Sequence, residues 1–406
     1  MSKYPFEGLL VIDFGVGAVG VEVARLFAEY GADVIKIESY QKPDFMRQLT
    51  PNMINPSFAS SSRCKRSLGV NLKTERGQEL MHALLRKADV VIDNLATGVM
   101  QRLGMGASTL RALNPKLIVV TSQSVGASGP WKDWSGYGPS THPTSGLHWL
   151  WNHGDAQEPA GSVCTYPDHL VGRLGAIAGI AGLIQREHSG VGVTVDIAQF
   201  ETPIQFLGDL YAQESLEPGS ARPRGNRSDR GAPWGAYPCA GDDEWVALCV
   251  RDDADWAALR DVLGDPEWTA NPDYANAKGR RAAHDVIDIE LAKWTQERSP
   301  QDARDALQAA GVPAGDLQHT QHMIADRNLA AREFIRVLDQ PGLTTLLFEG
   351  PFYHATQLPE PKLEPAPLLA QHTREICQEH LELADSEIDS LVAEGVLEEY
   401  RGEADA

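Results

Sequence analysis

Cysteine is scarce in this chain: five residues, at 64, 164, 239, 249 and 377, with no Cys-x-x-Cys pair among them. An odd, widely spaced set favours neither a disulfide framework nor a zinc site, so no metal and a reducing, cytoplasmic setting are expected. Positive charge is short as well. Thirty-six Lys and Arg stand against 56 Asp and Glu, a formal net charge of −20, which excludes nucleic acid and anionic membrane as expected partners. Long apolar runs are missing: the longest low-charge stretch, 174–184, is too short to span a bilayer. The N-terminal Met1-Ser2-Lys3-Tyr4-Pro5 has no charged-then-apolar-then-cleavage pattern. Nor is there an internal repeat or a long low-complexity segment.

What is present is an alternation of strand and helix signals. Leu9–Phe14 reads as a buried strand, Val21–Tyr30 as a helix and Ala32–Ile37 as a second strand, which makes a βαβ unit. Gly77–Lys87 continues as helix, Ala88–Ile92 as strand, Ser108–Leu113 as a short helix and Leu117–Thr121 as strand. Gly192–Ala198 adds a further strand, with a helix from about Glu201. The fold class expected is α/β, with a doubly wound parallel sheet and ligands at the carboxyl ends of its strands. At 406 residues two domains are expected. Residues 214–235, rich in arginine, glycine and proline, read as a linker or active-site loop. Beyond them, Trp245–Val250 as strand and helices at 252–263, 283–297 and 300–310 form a small α/β unit up to about 325. Strand-like pieces from Gly342, a proline-rich stretch at 359–367 and an acidic helical tail follow.

Four features carry chemistry. Asp168, in Tyr166-Pro167-Asp168, precedes a run of small and aliphatic residues from Gly172 to Ile184. Pro167 favours a helix start there, and Gly172, Gly175, Ala176 and Gly179 share one face that another backbone can approach. A carboxylate at a helix start is favoured as the anion and is either an N-cap or a nucleophile. Gly15-Val-Gly17-Ala-Val-Gly20, with Glu38 ending the next strand, matches a dinucleotide fingerprint, but with no hydride-transfer constellation downstream it reads better as a tight turn for another nucleotide-like ligand. Arg63, Lys65, Arg66, Lys73 and Arg102 form either an anion-holding cluster or unrelated solvated charges. Trp131, Trp134, Trp149 and Trp151, in and near a Gly/Pro-rich loop at 129–139, line either a core or a pocket for a sizeable acyl group.

Taken in order, the segments resemble the class III coenzyme A transferases, the family of formyl-CoA and carnitine CoA-transferases and the related α-methylacyl-CoA racemases. The resemblance runs nearly end to end. It rests on Gly31–Glu38, Arg63–Ser67 leading to Asn71–Glu75, Lys87–Asn94, Arg102-Leu-Gly104, Leu113–Leu117, Pro167-Asp168 and Trp234–Cys239, with Gly311–Gly315 and Gln371–Glu375 near the C-terminus.

The resemblance implies that Asp168 is the nucleophile of a CoA transfer through an aspartyl anhydride and an aspartyl-CoA thioester, with Tyr137 as the second catalytic residue. It implies that coenzyme A, a substrate and not a resident cofactor, contacts Gly17, Ala18, Val19, Val70, Lys73, Asn94, Leu95 and Arg102. The family's arginine after Lys-Ile-Glu is Ser39 here, and its Asn-Phe-Arg-Pro-Gly is Asn94–Gly98, which leaves Arg63, Lys65 and Arg66 as candidate substitutes. Racemases place a histidine about thirty residues before the aspartate, because moving an α-proton between faces needs two acid–base groups. Tyr137 occupies that position, 31 residues before Asp168, with His142 as the rival, so transfer is expected and racemisation is the alternative. A non-catalytic CoA-binding subunit is a further alternative, against which Asp168 itself argues. The partners implied are an acyl-CoA, a carboxylic acid and a second copy of the chain in an interlocked homodimer. The domains implied are a Rossmann-like CoA-binding domain at 1–225, a small α/β domain at 226–325 and a C-terminal segment at 326–406 returning to the first, with the active site between the two domains.

Overall fold

The computed structural model describes residues 3–402 except 155, 157 and 159–164, so Cys164 lies outside the described residues. The chain divides into two compact units, one within Met1–His148, Gly161–Ala212 and Ala331–Ala406, the other within Trp149–Ala160 and Gln213–Ala330.

The first unit is built on a seven-stranded sheet. Its parallel strands are β1 (Leu10–Asp13), β2 (Asp33–Glu38), β3 (Arg66–Val70), β4 (Val90–Asp93), β5 (Ile118–Gln123) and β6 (Thr194–Ala198). Across the sheet they run β3-β2-β1-β4-β5-β6, and a short strand, Leu397–Glu398, pairs antiparallel with the outer edge of β3. Val11 faces Val34 on one side and Val90 on the other, which fixes β1 at the centre. Runs such as Leu10-Val-Ile and Val90-Val-Ile are apolar on successive residues because both sheet faces are covered.

One face packs helix α1 (Val19–Glu29) and the long helix Tyr166–Ser189, sharing a core of Val11, Phe27, Val90, Ile118, Val120 and Ala176. The long helix approaches through its small residues. A side chain begun at Gly175 would stand 2.7 Å from Val23 Cγ2, and one at Gly179 would stand 3.1 Å from Phe27 Cζ. The expected glycine face is therefore the packing face. The opposite sheet face is covered by Glu75–Lys87 and by Thr373–Leu381 and Asp385–Ala393, over Ile12, Ile35, Leu68, Leu84, Ile376 and Ile388. Helix Glu75–Lys87 starts where the Thr74 hydroxyl accepts from Gly77 N–H at 3.0 Å, with Glu75 at its positive end and Arg86 and Lys87 at its negative end.

Strand β3 falls where the sequence reads as a basic cluster. Its last turn of chain is closed by Gly69, where a Cβ would stand 2.6 Å from Ala370 Cβ beneath the returning C-terminal strand. The second unit carries a three-stranded antiparallel sheet, Trp234–Pro238, Trp245–Cys249 and Ala314–Asp316, backed by Asp253–Leu263, His284–Thr295 and Pro300–Ala309 around Trp256, Leu259, Ile287 and Leu307. Among the described residues no helix is long and apolar enough to cross a membrane, and no group of three or more His, Cys, Asp or Glu could hold a metal ion.

Candidate active site

The strand order reverses direction at β1, whose neighbours β2 and β4 lead outward in opposite senses, so a crevice opens beyond the carboxyl ends of β1 and β4. The segments that leave those ends line it: Val16, Ala18 and Val19 after β1, Asn94 to Thr97 after β4, Gln123 and Ser124 at the end of β5, and Gln199 just beyond β6. Trp134 to Gly138 and Asp168 complete the wall, in a cleft of about 190 Å³. Asp168, Tyr137, Ala18, Val19, Asn94 and Leu95 are thus brought together within one unit of the fold.

Asp168 sits in the first turn of the long helix, after Pro167, and its backbone N–H donates to Thr165 O at 2.9 Å. The residue is only 7% exposed, and its Oδ1 has no hydrogen-bond partner among the described residues. Burial pushes its carboxyl up to about 6; the nearby Glu22 anion adds to the rise, while His169 and the Thr165 side chain oppose it. Glu22 comes from the first turn of α1. His169 Nδ1 lies 2.5 Å from its Oε1, and Arg173 Nη1 donates to its Oε2 at 2.7 Å. Burial alone would raise the Glu22 carboxyl. The His169 hydrogen bond and the charges of Arg25, His169 and Arg173 outweigh that and hold it below its usual range. Asp168 is therefore a buried, partly unsolvated carboxylate poised to ionise near neutral pH, which is what a carboxylate nucleophile requires.

Opposite it, Tyr137 opens the short helix Gly138–Thr144. Its backbone is pinned by Ser140, whose Oγ accepts from Tyr137 N at 3.0 Å and donates to Tyr137 O at 2.9 Å, while the side chain is 66% exposed. His142, the rival at this position, is buried and does not line the cleft.

The glycine turn is locked from behind. Gly15 N–H donates to Asp13 Oδ1 at 2.7 Å, Val16 N–H to Asn94 Oδ1 at 2.8 Å, and Gly17 N–H to Asp44 Oδ1 at 3.0 Å. Asn94 Nδ2 returns a hydrogen bond to Val16 O at 2.9 Å. The two carboxylates are matched by buried lysines, Lys65 at 2.8 Å from Asp13 and Lys36 at 3.0 Å from Asp44. Glu38 is held by Arg47 at 2.7 Å and Ser67 at 3.1 Å. A dinucleotide fingerprint needs free N–H groups in this turn and a free acid on the second strand. Here the N–H groups of Gly15 and Gly17 are spent on the protein's own carboxylates and that of Val16 on the Asn94 amide, and Glu38 is committed to Arg47. Gly17, with φ +73°, carries no side chain because the Phe45 ring would stand 2.5 Å from its Cβ.

The pattern of sequence that defines CoA-transferase family III matches residues 6–373. This chain belongs to that family. A probable CoA-transferase of Mycobacterium tuberculosis is 33% identical over 98% of the chain, which spans about half of that relative (51%). A succinyl-CoA–D-citramalate CoA-transferase of Chloroflexus aurantiacus is 28% identical, with 97% of this chain and 98% of that protein covered. The crystal structure of a CAIB/BAIF family protein from Brucella suis is similar with a TM-score of 0.85 at 27% identity, over 93% of this chain and 100% of that one.

In this class III CoA-transferase the remaining expected CoA contacts lie away from the cleft. Lys73 follows the carboxyl end of β3 and is exposed; Arg102 ends the short helix Val99–Arg102 after β4 and is exposed. Because all six strands are parallel, both emerge on the same sheet edge as Gly17 and Asn94. Val70 is buried in the core, paired with Leu397. The basic cluster is neutralised internally: Arg63 pairs with Glu29 and Glu349, Lys65 with Asp13, and Arg66 with Asp33 and Glu379. None of the three is a free phosphate ligand. Ser39 is closed off by Glu398, whose Oε1 accepts from its Oγ at 3.2 Å. Sequence reasoning missed Asp44, Gln123 and Gln199; lone polar residues outside any motif give no signal until the fold brings them to the strand ends.

Proposed function

We propose that this protein transfers coenzyme A from an acyl-CoA donor to a free carboxylic acid with Asp168 as the nucleophile. The observation that carries this reading is the buried Asp168 carboxylate, one oxygen without a partner among the described residues, facing a cleft at the carboxyl ends of β1 and β4. Asp168 attacks the thioester carbonyl; a C–O bond forms, the C–S bond breaks, and CoA leaves as thiolate from a mixed anhydride. The thiolate then attacks the aspartyl carbonyl, releasing the donor acid and forming an aspartyl-CoA thioester. An acceptor carboxylate attacks that thioester, CoA leaves again, and its return to the acceptor's acyl carbon frees Asp168. Each intermediate is as activated as the thioester it replaces, so exclusion of water conserves the activation. Tyr137, in the same wall, supplies a neutral hydroxyl donor for the oxyanions. Coenzyme A extends along the sheet edge, with Ala18, Val19, Asn94 and Leu95 near its reactive end and Gly17, Lys73 and Arg102 toward its nucleotide, while Val70, buried in the core, is not a contact.

Transfer is favoured over racemisation because no histidine lines the cleft among the described residues. The exposed Ile177, Ile184, Phe206 and Tyr211 support assembly as a homodimer of the interlocked family type; sedimentation of the purified protein tests it. Incubation with acetyl-CoA followed by mass spectrometry should reveal a covalent adduct on the peptide containing Asp168. Transfer at the parental rate by Asp168→Ala would overturn the mechanism, and loss of α-deuterium from a 2-methylacyl-CoA would restore the racemase reading.

A further inference from the structure

The geometry points to Glu22 as a positioning residue for the reaction: by holding His169 and Arg173 it fixes the rotation of the long helix and so aims Asp168 into the cleft. This inference rests on the transferase reading above. Glu22 stands in the first turn of α1, three residues after Val19, which lines the cleft. Its side chain is buried, and both carboxylate oxygens are taken up by the helix that bears Asp168. Glu22 is held ionised, so His169 Nδ1–H donates to Oε1 at 2.5 Å and Arg173 Nη1 to Oε2 at 2.7 Å. Arg173 Nη1 also donates to His169 O at 3.0 Å, which ties the two donors together across one helical turn.

His169 and Arg173 are four residues apart and share one helix face. Between them lies Gly172, where a Cβ would stand 2.9 Å from Glu22 Cβ, so a bare backbone is what lets Glu22 reach both donors. Gly175 and Gly179 seat the middle of the helix on Val23 and Phe27, and Glu22 seats its first turn. Arg25, on the next turn of α1, pairs with Glu29 and Glu349 and adds its field to Glu22. Glu22, His169 and Arg173 belong to one unit of one chain, so the clamp is complete within a single copy.

Successive residues of an α-helix are turned by about 100°, so locking residues 169 and 173 against α1 settles where residue 168 points. An oxygen about 5 Å from the helix axis moves about an ångström for a rotation of about 12°, and a displacement of that size costs about a hundredfold in rate. The same turn of α1 carries the cleft wall at Val19 and the clamp at Glu22. Nucleophile and wall are thereby held in one register.

The test uses the full-length protein at about pH 8, above the range in which Asp168 titrates, so that a loss reads placement and not ionisation. Acetyl-CoA and succinyl-CoA serve as donors, and the readout is the rate of adduct formation on Asp168. Glu22→Met keeps the length of the side chain but accepts no hydrogen bond, whereas Glu22→Gln keeps an acceptor for His169. The expected result for Glu22→Met is a fall of about tenfold to a hundredfold in the maximal rate at an unchanged half-saturating donor concentration, most of which Glu22→Gln recovers. His169→Leu should also slow the reaction, and adding it to Glu22→Met should cost nothing further, since the contact is already gone. Parental rates in Glu22→Met or in His169→Leu would overturn the inference and leave the transferase reading intact. So would a loss confined to the half-saturating concentration, a Glu22→Gln variant as slow as Glu22→Met, or losses that multiply in the double variant. No adduct with either donor in the parental protein would overturn the transferase reading, and this inference with it.

Discussion

The Cα of Gly138 lies against the carboxylate of Asp168: a methyl group built on Gly138 would fall on Asp168 Oδ2 and on the Thr165 side chain. The residue after Tyr137 has no side chain because the Asp168 carboxylate and the Thr165 side chain occupy that space. Gly138→Ala should therefore displace the Asp168 carboxylate while the sheet and its two cores stay intact. The expected outcome is a loss of at least about a hundredfold in kcat, since misplacement by about an ångström costs that much, with an unchanged far-ultraviolet circular dichroism spectrum. Parental kcat in Gly138→Ala would show that the contact is irrelevant to the chemistry.

In the proposed mechanism Asp168 must be ionised to attack, and burial lifts its carboxyl to about 6. Pre-steady-state adduct formation should accordingly fall tenfold per pH unit below about 6 and level off above about 7. A limb centred near 4, where a solvated aspartate titrates, would mean that the carboxylate is hydrated in the working enzyme.

The same shift makes a stability prediction. With its folded pKa above its unfolded one, Asp168 binds protons more readily in the folded state, so its ionisation destabilises the fold at pH values above about 6 and no longer does so below about 4. Asp168→Asn should be more stable than the parent at pH 7.5 by at most about 3 kcal/mol, and the difference should vanish on acidification to pH 4. Thermal melts at the two pH values check both sign and window.

Lys65 and Asp13, neither with any side-chain exposure, hold the turn after β1. Removing one partner leaves an uncompensated buried charge, so Lys65→Met should cost about 3–5 kcal/mol in urea unfolding. Lys65→Met combined with Asp13→Leu should recover part of that loss. An equal loss in single and double variants would mean that the ion pair is not the source of the stability.

The parallel sheet as a class, most of its strands and the long helix were legible in the sequence because apolar periodicity reports burial directly: Leu10-Val-Ile and Val90-Val-Ile read as buried strands before any neighbour is known, while the strand order was not legible. β3 was not, because Lys65 precedes it and Arg66 opens it, and charged residues read as surface unless their partners, the buried Asp13 and the half-buried Asp33, are already placed. The glycine turn was visible as a turn but not as a closed one, since Asp44, which takes the Gly17 N–H, lies 27 residues away in no recognisable pattern. The four tryptophans read as one aromatic group, yet Trp131 and Trp134 fall in the first unit and Trp149 and Trp151 in the second. Asp168 could be singled out from Pro167 and the small residues after it; its desolvation depends on Gly138 and Glu22, which local sequence does not disclose.

Helices Thr373–Leu381 and Asp385–Ala393 complete the cover that Glu75–Lys87 begins on one face of a sheet whose other strands are complete by Ala198, and Leu397–Glu398 closes its β3 edge. At translation rates of about 5–20 residues per second, the 199 residues from 198 to 397 take on the order of ten to forty seconds to emerge. During that interval the β3 end of that face, with Leu68, lacks the cover of helix Thr373–Leu381, and the free edge of β3 is open to pairing with any passing strand. Synthesis slowed beyond residue 200 should therefore raise aggregation more than the same delay placed before it.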